Sequence, residues 1–197
     1  ATGSPRPVAR ALESARDAAA RGGGGERACA VRLAGALHDA ICARADRSFE
    51  SFLVEATTVL TSLARNTEAA REIVDAALAS VLRTVCGNPD MLALAHASCE
   101  LLRRILACGV TPARVVATNA SQALTSALEA ARKALTRGPG GVEGPGRVKV
   151  AASVLRSACD CVGLLCGPGN DEAASRVQAA FATGSPRPVA RALESAR

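Results

Sequence analysis

Apolar positions along this chain recur at helical spacing, and clusters of turn-forming residues cut the pattern into segments. The pattern is clearest over residues 49–65. There Phe49, Phe52, Leu53, Ala56, Val59, Leu60 and Leu63 follow the i, i+3, i+4, i+7 rule, with Glu55, Thr58, Ser62 and Arg65 on the other side. Before it, Val8, Ala11, Leu12, Ala15 and Ala19 predict a first helix. Ser4 caps that helix, Pro5 sits in its first turn, and Gly22-Gly23-Gly24-Gly25 stops it. A second helix is expected over residues 26–45, with Ala30, Leu33, Ala34, Leu37 and Ile41 inward, and Asp46-Arg47-Ser48 turns the chain. His38 in this helix is assigned no chemistry.

Asn66-Thr67 ends the Phe-rich helix and caps the next, whose broad apolar face carries Ile73, Val74, Ala77, Leu78, Val81, Leu82 and Val85. Gly87-Asn88-Pro89-Asp90 closes it. Residues 91–107 predict another helix with Leu94, Ala95, Leu101, Leu102, Ile105 and Leu106 inward and His96, Glu100 and Arg103 on the polar side. Thr111-Pro112 opens one more, read as continuous through Val115, Val116, Ala120, Leu124, Ala127, Leu128, Ala131 and Leu135. Residues 137–147 hold two Pro and five Gly in eleven positions and read as a loop insertion. Val148, Ala151, Val154, Leu155, Ala158, Val162 and Leu165 define the last full helix, with Lys149, Ser153, Arg156 and Asp160 on its polar side. Gly167-Pro168-Gly169 ends that helix, and Asn170-Asp171 caps a shorter one running to Phe181. The expected class is all-α, without a sheet.

Residues 1–16 return unchanged as residues 182–197, an offset of 181. Convergence does not produce sixteen identical residues. One unit of a tandem array, cut to include the next unit's first helix, is the plainest account; a terminal cap copied from the other end and a designed repeat protein are the others. Repetition on this scale sets the architecture. Each copy carries one apolar stripe, Val8, Ala11, Leu12 and Ala15 in the first and Val189, Ala192, Leu193 and Ala196 in the second. Val8, Leu12, Val189 and Leu193 are therefore the expected unit-to-unit packing residues. The first copy is expected to lie against Leu33 and Leu37, in a neighbouring molecule, or frayed; interchange of the copies would join molecules head to tail.

Composition narrows the function classes. Apolar residues make up 49% of the 197 residues but aromatics only 2%, which suits closely packed helices rather than a sheet. The net charge of +6 is scattered, and with no Trp or Tyr for base stacking a nucleic-acid interface is the third-ranked expectation. The glycine-rich stretches are not phosphate loops. Glu26-Arg27 follow the first where a Lys and Ser/Thr would be required, and Pro139 and Pro145 in the second lack an amide hydrogen. Neither a membrane span nor a signal peptide is evident, so an intracellular, cytoplasmic or cytoskeletal location is expected. The eight cysteines are expected to be mostly buried, unpaired thiols. Cys159-x-Cys161-x4-Cys166 lacks the spacing of a zinc site, and no cofactor or metal is expected. Two histidines on separate helices, with no motif of catalytic spacing, argue against an enzyme.

Leu60-x-x-Leu63-Ala64-x-Asn66 followed by Ile73-Val74-x-Ala76 resembles the armadillo repeat. Fainter echoes are Ile105-Leu106-Ala107 with Val115-Val116-Ala117, and Leu164-Leu165-Cys166 with Asn170 and Val177. The spacing from Leu63 to Leu106 is 43, within the range of armadillo and HEAT units, and the 59 from Leu106 to Leu165 is longer by about the Gly/Pro insertion. The resemblance covers about residues 49–181 and implies a right-handed α-solenoid spanning the chain, with its third helices lining a binding groove. It implies a non-enzymatic protein-protein interaction scaffold; a structural unit stacking end to end in an array or filament is the alternative. The groove would be built from Glu55, Thr58 and Ser62, then His96, Glu100 and Arg103, then Lys149, Ser153, Arg156 and Asp160. Peptide carriers of the family use an Asn inside the third helices, and none occurs there in this chain. A folded protein partner or a neighbouring repeat is expected instead.

Overall fold

In the computed structural model of the chain, residues 6–21, 26–43, 50–136 and 145–183 are described. Among them every regular element is helical and there is no strand. The helices are α1 (Arg6–Arg21), α2 (Glu26–Ala43), α3 (Glu50–Leu63), α4 (Thr67–Ile73), α5 (Ala79–Gly87), α6 (Leu92–Ala107), α7 (Pro112–Val116), α8 (Ala120–Thr136), α9 (Pro145–Leu165) and α10 (Asp171–Thr183). A π-helical turn, Val74–Leu78, joins α4 to α5 without a break in the helical rod. At its start the Val74 amide is shared between the carbonyls of Ala70 and Arg71. Nothing in the apolar pattern of that stretch marks the wider turn.

Two rows of packed helices emerge. In one, α1 lies on α3, α3 on α6 and α6 on α9. In the other, α2 packs on the α4–π–α5 rod, α5 on α8 and α8 on α10. The rows join through α1 with α2, α2 with α3 and α8 with α9. Leu33, Leu37, Leu53, Leu60, Leu63, Leu101 and Leu102 are fully buried between them. Ala15, Ala30, Ala34, Ala56, Ala70, Ala131, Ala151 and Ala158 are completely covered too, so much of the helix contact is backbone brought close by small side chains. Residues 6–16 of the first copy lie in α1, which packs on α2 and α3 with Leu12 and Ala15 buried; residues 1–5 lie outside the described residues. The side chain of Val8 and residues 184–197, with Val189 and Leu193, lie outside the described residues.

Polar groups tie helix ends to neighbouring helices. The Arg104 guanidinium Nε donates to the Ala64 carbonyl past the end of α3 at 2.8 Å, and the Cys108 thiol donates to the same oxygen at 3.0 Å. These satisfy a carbonyl that α3 leaves without an intrahelical partner. Arg65 does the same for the Ala19 carbonyl in α1. The start of α4 is fixed locally. The Asn66 side-chain oxygen accepts from the Ala69 amide at 2.9 Å, with Asn66 in extended backbone. Asn66→Ala is expected to cost about 1 kcal/mol, read as a lower urea midpoint with an unchanged slope.

Three sequence expectations are corrected. The helix expected to run unbroken from Thr111 through Leu135 is two, α7 and α8, because Asn119 adopts φ +68° after the turn 117–119. Asn is among the few non-glycine residues that enter this region at low cost. Pro145-Gly146-Arg147 belong to α9 rather than to the loop insertion, since Pro is tolerated in a first helical turn; residues 137–144 lie outside the described residues. All eight cysteines are free, but only Cys29, Cys99 and Cys161 are buried. Cys86, Cys108 and Cys159 are half-buried, and Cys42 and Cys166 are exposed, because their positions fall at the edges of helix contacts rather than at their centres.

Candidate protein-binding face

The three helices expected to line a groove, α3, α6 and α9, are consecutive in one row. Their polar positions differ in what they do. On α9, Lys149, Arg156 and Asp160 are exposed and Ser153 is half-buried. On α6, Arg103 is exposed and bonds Glu100 of the same helix at 2.6 Å. That contact, helped more weakly by Asp160 of α9, raises the Arg103 pKa and keeps the guanidinium charged. Glu100 and Arg103 of α6 thus lie near Asp160 of α9 and form a small mixed-charge patch with it.

On α3, Glu55 forms an ion pair with Arg16 of α1. Thr58 and Ser62 are exposed, and their hydroxyls donate to backbone carbonyls one turn earlier, at 2.8 and 3.2 Å. Such bonds occupy the hydroxyl hydrogen locally and leave the oxygen to accept.

His96 departs from its expected place on the polar side. It is half-buried, with Nδ1 3.1 Å from the Ser157 hydroxyl of α9. Ser157 already donates its own hydrogen to the Ser153 carbonyl at 2.8 Å. The serine oxygen must therefore accept, which places the proton on Nδ1 of His96. His38, which the sequence left without a role, repeats the device in the other row. Its Nδ1 meets the hydroxyl of buried Ser80 on α5, and its Nε2 lies 3.7 Å from the Cys42 thiol. A polar residue read on one helix gives no sign of a hydroxyl on the next layer, so neither bridge is visible in sequence. Both join stacked helices. Ser157→Ala, which leaves the His96 donor half-buried without its partner, is expected to lose about 1–2 kcal/mol. A double-mutant cycle with His96→Ala measures the coupling.

Beneath the patch, Cys161 of α9 donates its thiol hydrogen to the Cys99 carbonyl of α6 at 3.2 Å. The Cys99 thiol is held well above its ordinary pKa, first by its hydrogen bond with Cys161 and then by burial. It is a neutral packing group. Among the described residues no cluster of three His, Cys, Asp or Glu could hold a metal ion. An open hollow of about 630 Å³ lies beside α2, lined by Arg27, Ala28, Val31, Arg32 and Glu72, with Arg27 paired to Glu68 and Glu72 across to α4. No helix among the described residues is long and apolar enough to cross a membrane.

No family model matches the sequence, and no curated protein or solved structure matches it either.

Proposed function

We propose that the chain is a non-enzymatic protein-interaction scaffold of armadillo- or HEAT-like helical repeats, which offers the mixed-charge face of α6 and α9, continued by α3, to a folded protein partner. The observation that carries this reading is the stacking order: the helices matched to the family's third helix are successive members of one row. The period agrees. Taken as layers, α2 with α3, α4–α5 with α6, and α7–α8 with α9 make three, and the stretch of sequence from α10 to the next copy of α2 leaves room for a fourth. An offset of 181 residues divided among four layers is about 45 each, within the span of armadillo and HEAT units. In a right-handed solenoid each layer would touch only its neighbours.

The test compares affinity capture by the wild type and by Arg103→Glu/Arg156→Glu, both checked by far-UV circular dichroism. A protein retained by the wild type and lost by the equally folded variant supports the reading. Recovery of nucleic acid instead, with affinity falling steeply as salt rises, would replace it with the third-ranked class.

A further inference from the structure

Cys42 sits in the last turn of α2, one helical turn beyond His38, so the two side chains share a face of that helix. Cys42 is exposed, and its sulfur lies 3.7 Å from Nε2 of the half-buried His38 ring. The other ring nitrogen, Nδ1, is held by the hydroxyl of Ser80, a residue only 3% exposed on α5. A hydroxyl oxygen is a better acceptor than a thiol sulfur, which places the ring proton on Nδ1 and turns the Nε2 lone pair to the thiol. Nucleophile, base and orienting group thus stand in sequence, and the orienting group is anchored in the core of another helix.

The remaining thiols stand in other settings. The chain's second histidine, His96, is engaged with Ser157. Cys161 and Cys108 give their hydrogens to backbone carbonyls. Cys166 is the other exposed cysteine, and partial burial of its thiol pushes its pKa up, as burial does at Cys86 and Cys159. The place of Cys42 on its helix also limits the chemistry. Backbone groups left without intrahelical partners in a last turn are carbonyls, which repel an oxyanion, so acyl transfer is disfavoured. Thiol–disulfide exchange builds no oxyanion; it needs a thiolate and access to a sulfur.

We propose that Cys42 is a thiol-modification site that takes a small soluble disulfide of the glutathione type, with His38 as its base and Ser80 as the residue that positions the ring. The Cys42 proton passes to Nε2 of His38. The thiolate attacks one sulfur of the disulfide, its S–S bond breaks, and a new bond joins Cys42 to that sulfur. The other half departs as a thiolate and takes the proton from Nε2, which leaves His38 neutral. One disulfide is consumed, and one mixed disulfide and one free thiol are formed. The inference rests on α2 and α5 and is independent of the protein-binding face.

The test is the rate of mixed-disulfide formation with glutathione disulfide, read at each cysteine by mass spectrometry, with Cys166 as the internal reference. Wild type, His38→Gln, Ser80→Ala and Ser80→Thr are compared after circular dichroism confirms equal helicity. In the wild type Cys42 is expected to react several-fold faster than Cys166. His38→Gln should remove that advantage and leave Cys166 unchanged. Ser80→Ala should reduce it, and Ser80→Thr, which keeps the hydroxyl, should restore it. Equal rates at Cys42 and Cys166 in the wild type would overturn the proposal, and that comparison needs no variant to fold. So would an unchanged Cys42 rate in folded His38→Gln, which would assign the reactivity to exposure alone. No loss in Ser80→Ala, or a loss that Ser80→Thr does not repair, would overturn the positioning role.

Discussion

Leu101→Ala is expected to lower the unfolding free energy by about 3 kcal/mol, within the range for emptying a fully covered leucine site. Leu101 has no exposed surface and sits at the centre of α6, the helix packed on both α3 and α9. The lost methyl groups forfeit their transfer free energy. The surroundings relax only partly into the gap, because a close-packed core holds its side chains and backbone near fixed positions. With no Trp or Tyr in the chain, urea unfolding is followed by far-UV circular dichroism. Leu164→Ala is the matched control: Leu164 is 44% exposed, and its truncation should change stability by less than about 0.5 kcal/mol. Equal effects of the two substitutions would contradict the packing of α6 as the middle of the row.

Cys161→Asp should do more damage, and only above acid pH. Cys161 is fully buried and its thiol points at the Cys99 carbonyl, 3.2 Å away. A protonated carboxyl placed there can donate to that oxygen as the thiol does. An ionised one cannot; it would face a carbonyl dipole at a position with no exposed surface, so its folded pKa must rise. The sign follows from proton binding. With the folded pKa above the unfolded value near 4, the folded state holds the extra proton, and stability falls as pH increases from about 4 through the folded pKa. Beyond that pH the loss levels off at roughly 4 kcal/mol or more, the equivalent of a shift of three units or above. Urea titrations at a series of pH values read this directly. A pH-independent loss would mean that the site admits water.

Helix positions were legible because their signals are local. Asn66 caps α4 where the sequence places a cap, Thr111-Pro112 opens α7, and the period of Leu53, Ala56, Leu60 and Leu63 corresponds to the buried side of α3. The break at Asn119 was overridden by apolar residues that stay in helical phase on both sides of it, although Thr-Asn is itself a turn signal. What a helix meets across an interface was not legible. His96 and His38 look like solvent-facing residues until Ser157 and Ser80 arrive from helices 61 and 42 residues further along. The mixed-charge patch was readable as residues and unreadable as a surface, since exposure of Arg103 and Asp160 says nothing of their proximity until α6 and α9 are placed together.

The hydrogen bonds that join layers span short stretches of chain. Arg114 reaches back 39 residues to Asp75, Arg104 reaches 40 to Ala64, and the bond from Cys161 to the Cys99 carbonyl spans 62. In the proposed solenoid, links of this kind would register each layer on the one before it and leave the two ends of the row to move relative to each other. Small tilts at successive contacts would then add up along the row, as in a concertina. Under tension applied at its ends, such a molecule should lengthen by many slight rotations before any helix is pulled apart.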